Sequence, residues 1–270
     1  MKIPNEKEFI SSIVKSFVMA YAEGFECRHV GEADNPEGTI NIKIHNVFIE
    51  ALGPEVQYYT ALSRSLDSSL GNMLEKMAIA LAEQNFIVNR SVEGVLYEKQ
   101  TQHIASLLEI YKRHGKKPDV RDYVDMTEFN DGVNEHARHE SDYYLYDKAH
   151  DKHYLIELKI GGDLDNKKAR AEKEAILEQY AILGNKIGKT SNIKIYFATA
   201  YNRYGEDKEW KQERVRQFFA EEELLIGKEF WNFVCQSDNG YKYVIESYRE
   251  NAHYIKNALD KIKETYLGQN

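Results

Sequence analysis

The chain has 270 residues, 42% hydrophobic and 30% charged, with 36 basic side chains against 44 acidic ones and a formal net charge of -8. Its length suits one large domain or two small ones with a full core. A mean hydropathy of -0.62 and the lack of any apolar run near about 18 residues exclude a membrane-spanning helix, and the acidic balance excludes a passively basic, histone-like binder of nucleic acid. Two distant cysteines, Cys27 and Cys235, make neither a disulfide framework nor a Cys-rich zinc module. The polar start Met1-Lys2-Ile3-Pro4-Asn5 is not a secretory leader, so a soluble intracellular protein is expected. Its 19 tyrosines are assigned to core and sheet packing rather than base stacking.

From Phe9 to Ala22, apolar residues at Phe9, Ile10, Ile13, Val14, Phe17 and Val18 share one face, which predicts a helix. A turn-rich stretch at Gly31–Pro36 follows, and a second helix is predicted from Ser63 to about Glu83, with the stripe Leu66, Leu70, Met73, Leu74, Met77 and Leu81. Residues 141–147 and 153–160 read as strands joined by the polar turn 148–152, a β-hairpin closing on Gly161-Gly162. A charged helix is predicted over 164–183, a buried strand over 193–200, and two amphipathic helices near 208–225 and 252–266. That order gives an α/β class, a mixed sheet covered by helices. Nothing in composition marks a linker or repeat, so a single domain over 1–270 is expected.

The chemistry concentrates on the hairpin. Along 153–160, Tyr154, Ile156, Leu158 and Ile160 form one face, and His153, Leu155, Glu157 and Lys159 the other. Glu157 and Lys159 are thereby held side by side. Asp142 lies 15 residues before Glu157, where a hairpin brings it alongside. Two such carboxylates repel unless a cation sits between them, and Mg2+ is ordinarily held by one or two carboxylates, substrate phosphate and water. Lys159 would then orient the attacking water and offset charge on phosphorus oxygens. Glu-x-Lys alone is an ordinary surface pair of little energetic weight; Asp142, the Gly161-Gly162 exit and the basic helix that follows favour a site. Glu75 is a further candidate on a small-residue helix face with Gly71, Ala78 and Ala82, where a solvent-facing role fits equally well.

Asp142 followed by Glu157-x-Lys159, after an acidic helix and before a helix and strand, resembles the PD-(D/E)XK nuclease core. The segments Ser69-Leu70-Gly71-Asn72-Met73-Leu74-Glu75, Glu157-Leu158-Lys159 and Glu229-Phe230-Trp231-Asn232-Phe233 are similar to those of TdeIII-like type II restriction endonucleases. Ser141 stands where the motif has proline; the literal Pro118-Asp119 is 38 residues before Glu157, too far for one hairpin. The resemblance, over about residues 45–235, implies a restriction-endonuclease-like α/β core (about 63–235) with a central mixed sheet, a helical N-terminal part (about 1–110) and a C-terminal helical extension (about 240–270). It implies a cytoplasmic prokaryotic homodimer that cuts double-stranded DNA with Mg2+ at a short palindrome, GGNCC-like in that family. Asp142 and Glu157 would ligate the metal, with Lys159 and Glu75 assisting. A structure-specific repair or junction-resolving nuclease, or a nuclease-like fold that only binds DNA, remains an alternative.

For DNA contacts, Asn166, Lys167, Arg170 and Lys173 crowd the first turns of the helix after the hairpin. A helix start favours anions, so cations there make sense if phosphates approach, although a solvated charged face offset by Glu172, Glu174 and Glu178 explains them as well. Lys112-Arg113-His114-Gly115-Lys116-Lys117 and Arg203, in Tyr201-Asn202-Arg203-Tyr204, are weaker candidates. His136-x-x-His139-Glu140 lacks the order of a metalloprotease helix, and Cys27 has no spaced partner.

Overall fold

The side chain of Asn5 accepts a hydrogen bond from the backbone N–H of Glu8 and so opens the first helix. The computed structural model describes residues 5–268, and for 134–142 the backbone alone. In chain order the elements are α1 (Glu6–Gly31), α2 (Val47–Glu50), α3 (Pro54–Ala82), β1 (Ile87–Tyr97), α4 (Glu98–Lys112), β2 (Asn134–Asp147), β3 (Lys152–Leu158), α5 (Asn166–Ile187), β4 (Ile193–Thr199), α6 (Glu213–Arg216), β5 (Leu224–Ile226), α7 (Lys228–Cys235) and α8 (Gly240–Leu267). Among the described residues no helix is long and apolar enough to cross a membrane.

The chain folds as two compact units, residues 1–80 with 242–270, and residues 81–241. The first is helical. The stripe of α1 continues past the predicted end through Phe25 and His29, both buried, which carries the helix to Gly31. Likewise α3 begins at Pro54, nine residues before Ser63, because Tyr58, Ala61 and Leu62 already join the core with Phe25, Ile40 and Ile262. Proline suits a first helical turn, where its missing N–H has no partner to lose.

The second unit holds a five-stranded sheet in the order β1-β2-β3-β4-β5. The first three strands pair antiparallel, while β3–β4 and β4–β5 pair parallel. Helix α5 is the crossover that a parallel β3–β4 pair requires, and with α4 it covers one face through Leu107, Leu108, Leu155, Ile176, Tyr180 and Phe197. On the other face Tyr154 meets Phe233 and Phe86 edge to face, at 5.0 and 5.8 Å between ring centroids. This is the expected α/β class, a mixed sheet flanked by helices.

Further expectations change in this unit. β1 and α4 escaped prediction, and β2 starts seven residues before 141, because the polar run Asn134–Glu140 hides a strand paired with Ser91–Tyr97. The helix predicted over 208–225 shrinks to Glu213–Arg216. Its apolar residues Val215, Phe218 and Phe219 instead turn into the core, and Leu224–Ile226 extend as β5 to pair with Phe197–Thr199. Finally, β3 is covered on both faces, with Leu155 and Ile156 at most 1% exposed, so only its C-terminal end is open to chemistry.

Candidate active site

Beyond Leu158 the chain keeps pairing with the strand alongside. The N–H of Lys159 donates to the Ala198 carbonyl at 2.9 Å, and the N–H of Ala200 donates to the Ile160 carbonyl at 3.0 Å. Gly162 then turns the chain at φ +64, and a Cβ there would meet Thr199 Cγ2 at 2.7 Å and Trp210 Cζ2 at 3.0 Å. Only glycine tolerates both that dihedral and that closeness. The glycine exit noted in the sequence thus fixes where the strand end, and Lys159 with it, must sit.

Glu157 is 9% exposed. Lys159 Nζ donates to Glu157 Oε1 at 2.5 Å and lies 3.2 Å from Glu172 Oε1. One ammonium therefore serves two carboxylates, one from β3 and one from α5. Glu172 was assigned only to charge balance in the sequence. Its position was legible all the same: it lies three residues after Ala169 and four before Ile176, on the inward side of α5.

The β2–β3 register pairs Tyr143 with Ile156 and Tyr144 with Leu155. One further step along that register reaches Asp142 and Glu157. The side chain of Asp142 lies outside the described residues, as do those of His136 and His139. Among the described residues no group of three or more His, Cys, Asp or Glu is arranged to hold a metal. A partly buried carboxylate at a strand end beside an ammonium is, by its donor chemistry, a fit for a hard cation that keeps its waters and uses one or two protein oxygens.

The other sequence candidates scatter. Glu75 is half-buried on α3, and the site above is built from the sheet unit alone. Asn166 opens α5, where the Asp165 side chain accepts from the Lys168 N–H at 2.8 Å as N-cap. Lys167 is exposed. Arg170 Nη1 sits 3.3 Å from Glu109 Oε2 of α4, and Arg203 Nη1 sits 2.8 Å from Asp163 Oδ2, a bond that draws the Asp163 pKa down. Cys27 is exposed and free.

Lys173 is a correction. It is fully buried, its Nζ 2.5 Å from Glu223 Oε1 and over the rings of Tyr123 and Phe219. The Tyr123 hydroxyl and the Ala220 N–H also donate to Glu223. Burial pulls the Lys173 pKa down, and Glu223 opposes that. No phosphate reaches this lysine. The cause is helical spacing, since 173 follows 169 by four residues and precedes 176 by three, within the apolar stripe.

One juxtaposition was hidden in the sequence. His114, Lys116 and Lys117, from the basic run after α4, line one groove of about 840 Å3 with Asn166 of α5 and Arg214 of α6. Glu213, Glu221 and Glu222 line it too, but Arg216 holds Glu221 at 2.5 Å. Lys116 is tied to Asp122, which also accepts from the Tyr111 hydroxyl at 2.7 Å. Lys117 and Arg214 are exposed.

A model of one protein family, described as type II restriction endonuclease, HinfI, matches residues 5–252. No curated protein and no solved structure matches the chain. The match covers nearly all of the chain and supports a restriction-endonuclease family, whereas the likeness to TdeIII-like enzymes rests on the short segments alone.

Proposed function

The chain belongs to the HinfI family of type II restriction endonucleases, and on that premise we propose that it hydrolyses phosphodiester bonds of double-stranded DNA at a short palindrome, in a Mg2+-dependent reaction centred on Asp142, Glu157 and Lys159. The observation that carries this reading is the Lys159 ammonium held on the Glu157 carboxylate at the end of β3. A family of DNA-cutting enzymes needs a place where a scissile phosphate meets both an anion-stabilising group and oxygen ligands, and these residues supply both.

Glu157 and Asp142 would hold the cation, which when bound offsets phosphate charge and acidifies water. Lys159 donates hydrogen bonds, and its three N–H groups allow it to serve Glu157, Glu172 and a non-bridging phosphate oxygen or the attacking water. A preorganised ammonium costs no reorganisation when negative charge grows on the phosphorus oxygens. Glu172 keeps that ammonium in place whenever the Glu157 oxygen is otherwise engaged. The groove of Lys117, Arg214 and Asn166 holds the DNA backbone through contacts that position without reading bases. Because a palindrome is two-fold symmetric, two copies of the chain cut one strand each.

Digestion of phage lambda DNA with Mg2+, followed by sequencing of the fragment ends, tests this. Discrete fragments with one shared palindromic end are expected. Cleavage confined to branched substrates, or none at all, contradicts it.

A further inference from the structure

Between α1 and α3 the chain presents several large apolar side chains to water within a short stretch. Phe48 is 82% exposed, Val47 66%, Leu52 62% and Ile44 54%, and Val56 and Tyr59 follow on the first turns of α3. The one-turn helix α2 and the 3-10 turn at 41–45 bury no residue of their own. Helix α2 exists because the Asn46 side chain accepts from the N–H groups of Phe48 and Ile49. Gly53, at φ +93, then turns the chain into α3. A four-residue helix has little stability by itself, so capping and a turn glycine are here spent on displaying Val47 and Phe48 outward.

Summed over these six residues the exposed area is on the order of 600 Å2, against the roughly 800 Å2 per partner of a standard interface. Segment 42–59 contains one lysine, two glutamates and a histidine, so two copies meet there without strong like-charge repulsion. We propose that this surface is the two-fold contact between two copies of the chain, with Phe48 and Leu52 at its centre. The proposal rests on the paired cutting proposed above, and it adds where the two copies touch.

The test uses the full-length protein in sedimentation velocity over a range of concentrations, with Phe48→Asp and Leu52→Asp measured separately. Both positions are mostly exposed, so unchanged circular dichroism is expected. The wild type should sediment as a dimer, and each variant should raise the dimer dissociation constant by at least about 100-fold, as loss of an apolar anchor at an interface centre does. Two folded variants that dimerise like the wild type overturn the proposal, as does a wild type that stays monomeric while cutting both strands. A wild-type dimer that Phe48→Asp dissociates, in a protein that cuts no DNA, supports the interface and removes the restriction reading instead.

Discussion

Lys173 Nζ lies 2.5 Å from Glu223 Oε1, and both residues are at most 1% exposed. The pair ties α5 to the turn that leads into β5. Lys173→Ala leaves a carboxylate buried without its ammonium, and urea unfolding should show a loss of about 3–5 kcal/mol. Replacing both members by methionine and leucine removes the unpaired charge but leaves the Tyr123 hydroxyl and the Ala220 N–H without their acceptor, at about 1–3 kcal/mol each. If Lys173 were instead a phosphate contact, its removal would change the salt dependence of DNA binding by about one charge with little change in stability.

That lysine also marks what the sequence could tell. The hairpin, the α5 crossover and β4 were legible because apolar alternation and helical spacing agree there with the burial the fold imposes. Lys173 was misread because charge was weighed above position, and Glu172 was passed over for the same reason, although both fall between Ala169 and Ile176. β1 and the first half of β2 were illegible for another cause. They pair mainly with each other at the sheet edge, Glu93 opposite Arg138 and Ser91 opposite Glu140, and a polar edge ladder carries no apolar period. The groove was beyond sequence reach, since only the fold brings Lys117, Asn166 and Arg214 together.

Glu172→Gln removes one carboxylate that holds Lys159 while leaving the Glu157 bond. Single-turnover cleavage should slow by about tenfold, about 1.4 kcal/mol in barrier height, with DNA affinity unchanged. Glu172→Asp should recover part of the rate. A fall in affinity at an unchanged rate would place Glu172 outside the reaction.

Lys117→Ala and Arg214→Ala test the groove. Each should weaken DNA binding similarly across sequences and reduce the slope of log K against log salt by about one. Titration by fluorescence anisotropy at several salt concentrations reads this directly. An unchanged slope for both variants would take DNA out of the groove.

Burial holds the imidazoles of His29 and His153 below the ordinary histidine pKa. Below about pH 6.5 the unfolded chain therefore takes up protons that the folded chain refuses, so stability is complete above that pH and declines as pH falls through the window beneath it. The thermal midpoint should drop between about pH 7.5 and about pH 5.5, above the range where carboxylates titrate. His153→Gln should make that drop smaller. A midpoint that rises on acidification would contradict this assignment.

The most direct test of the central assignment is plasmid cleavage in Mg2+ by Lys159→Ala and Glu157→Gln, with DNA binding measured on the same samples. Both variants are expected to bind DNA and to cut at least about 100-fold more slowly than the wild type, the scale of losing one preorganised charge-stabilising group. A Lys159→Ala protein that cuts at the wild-type rate would contradict the account.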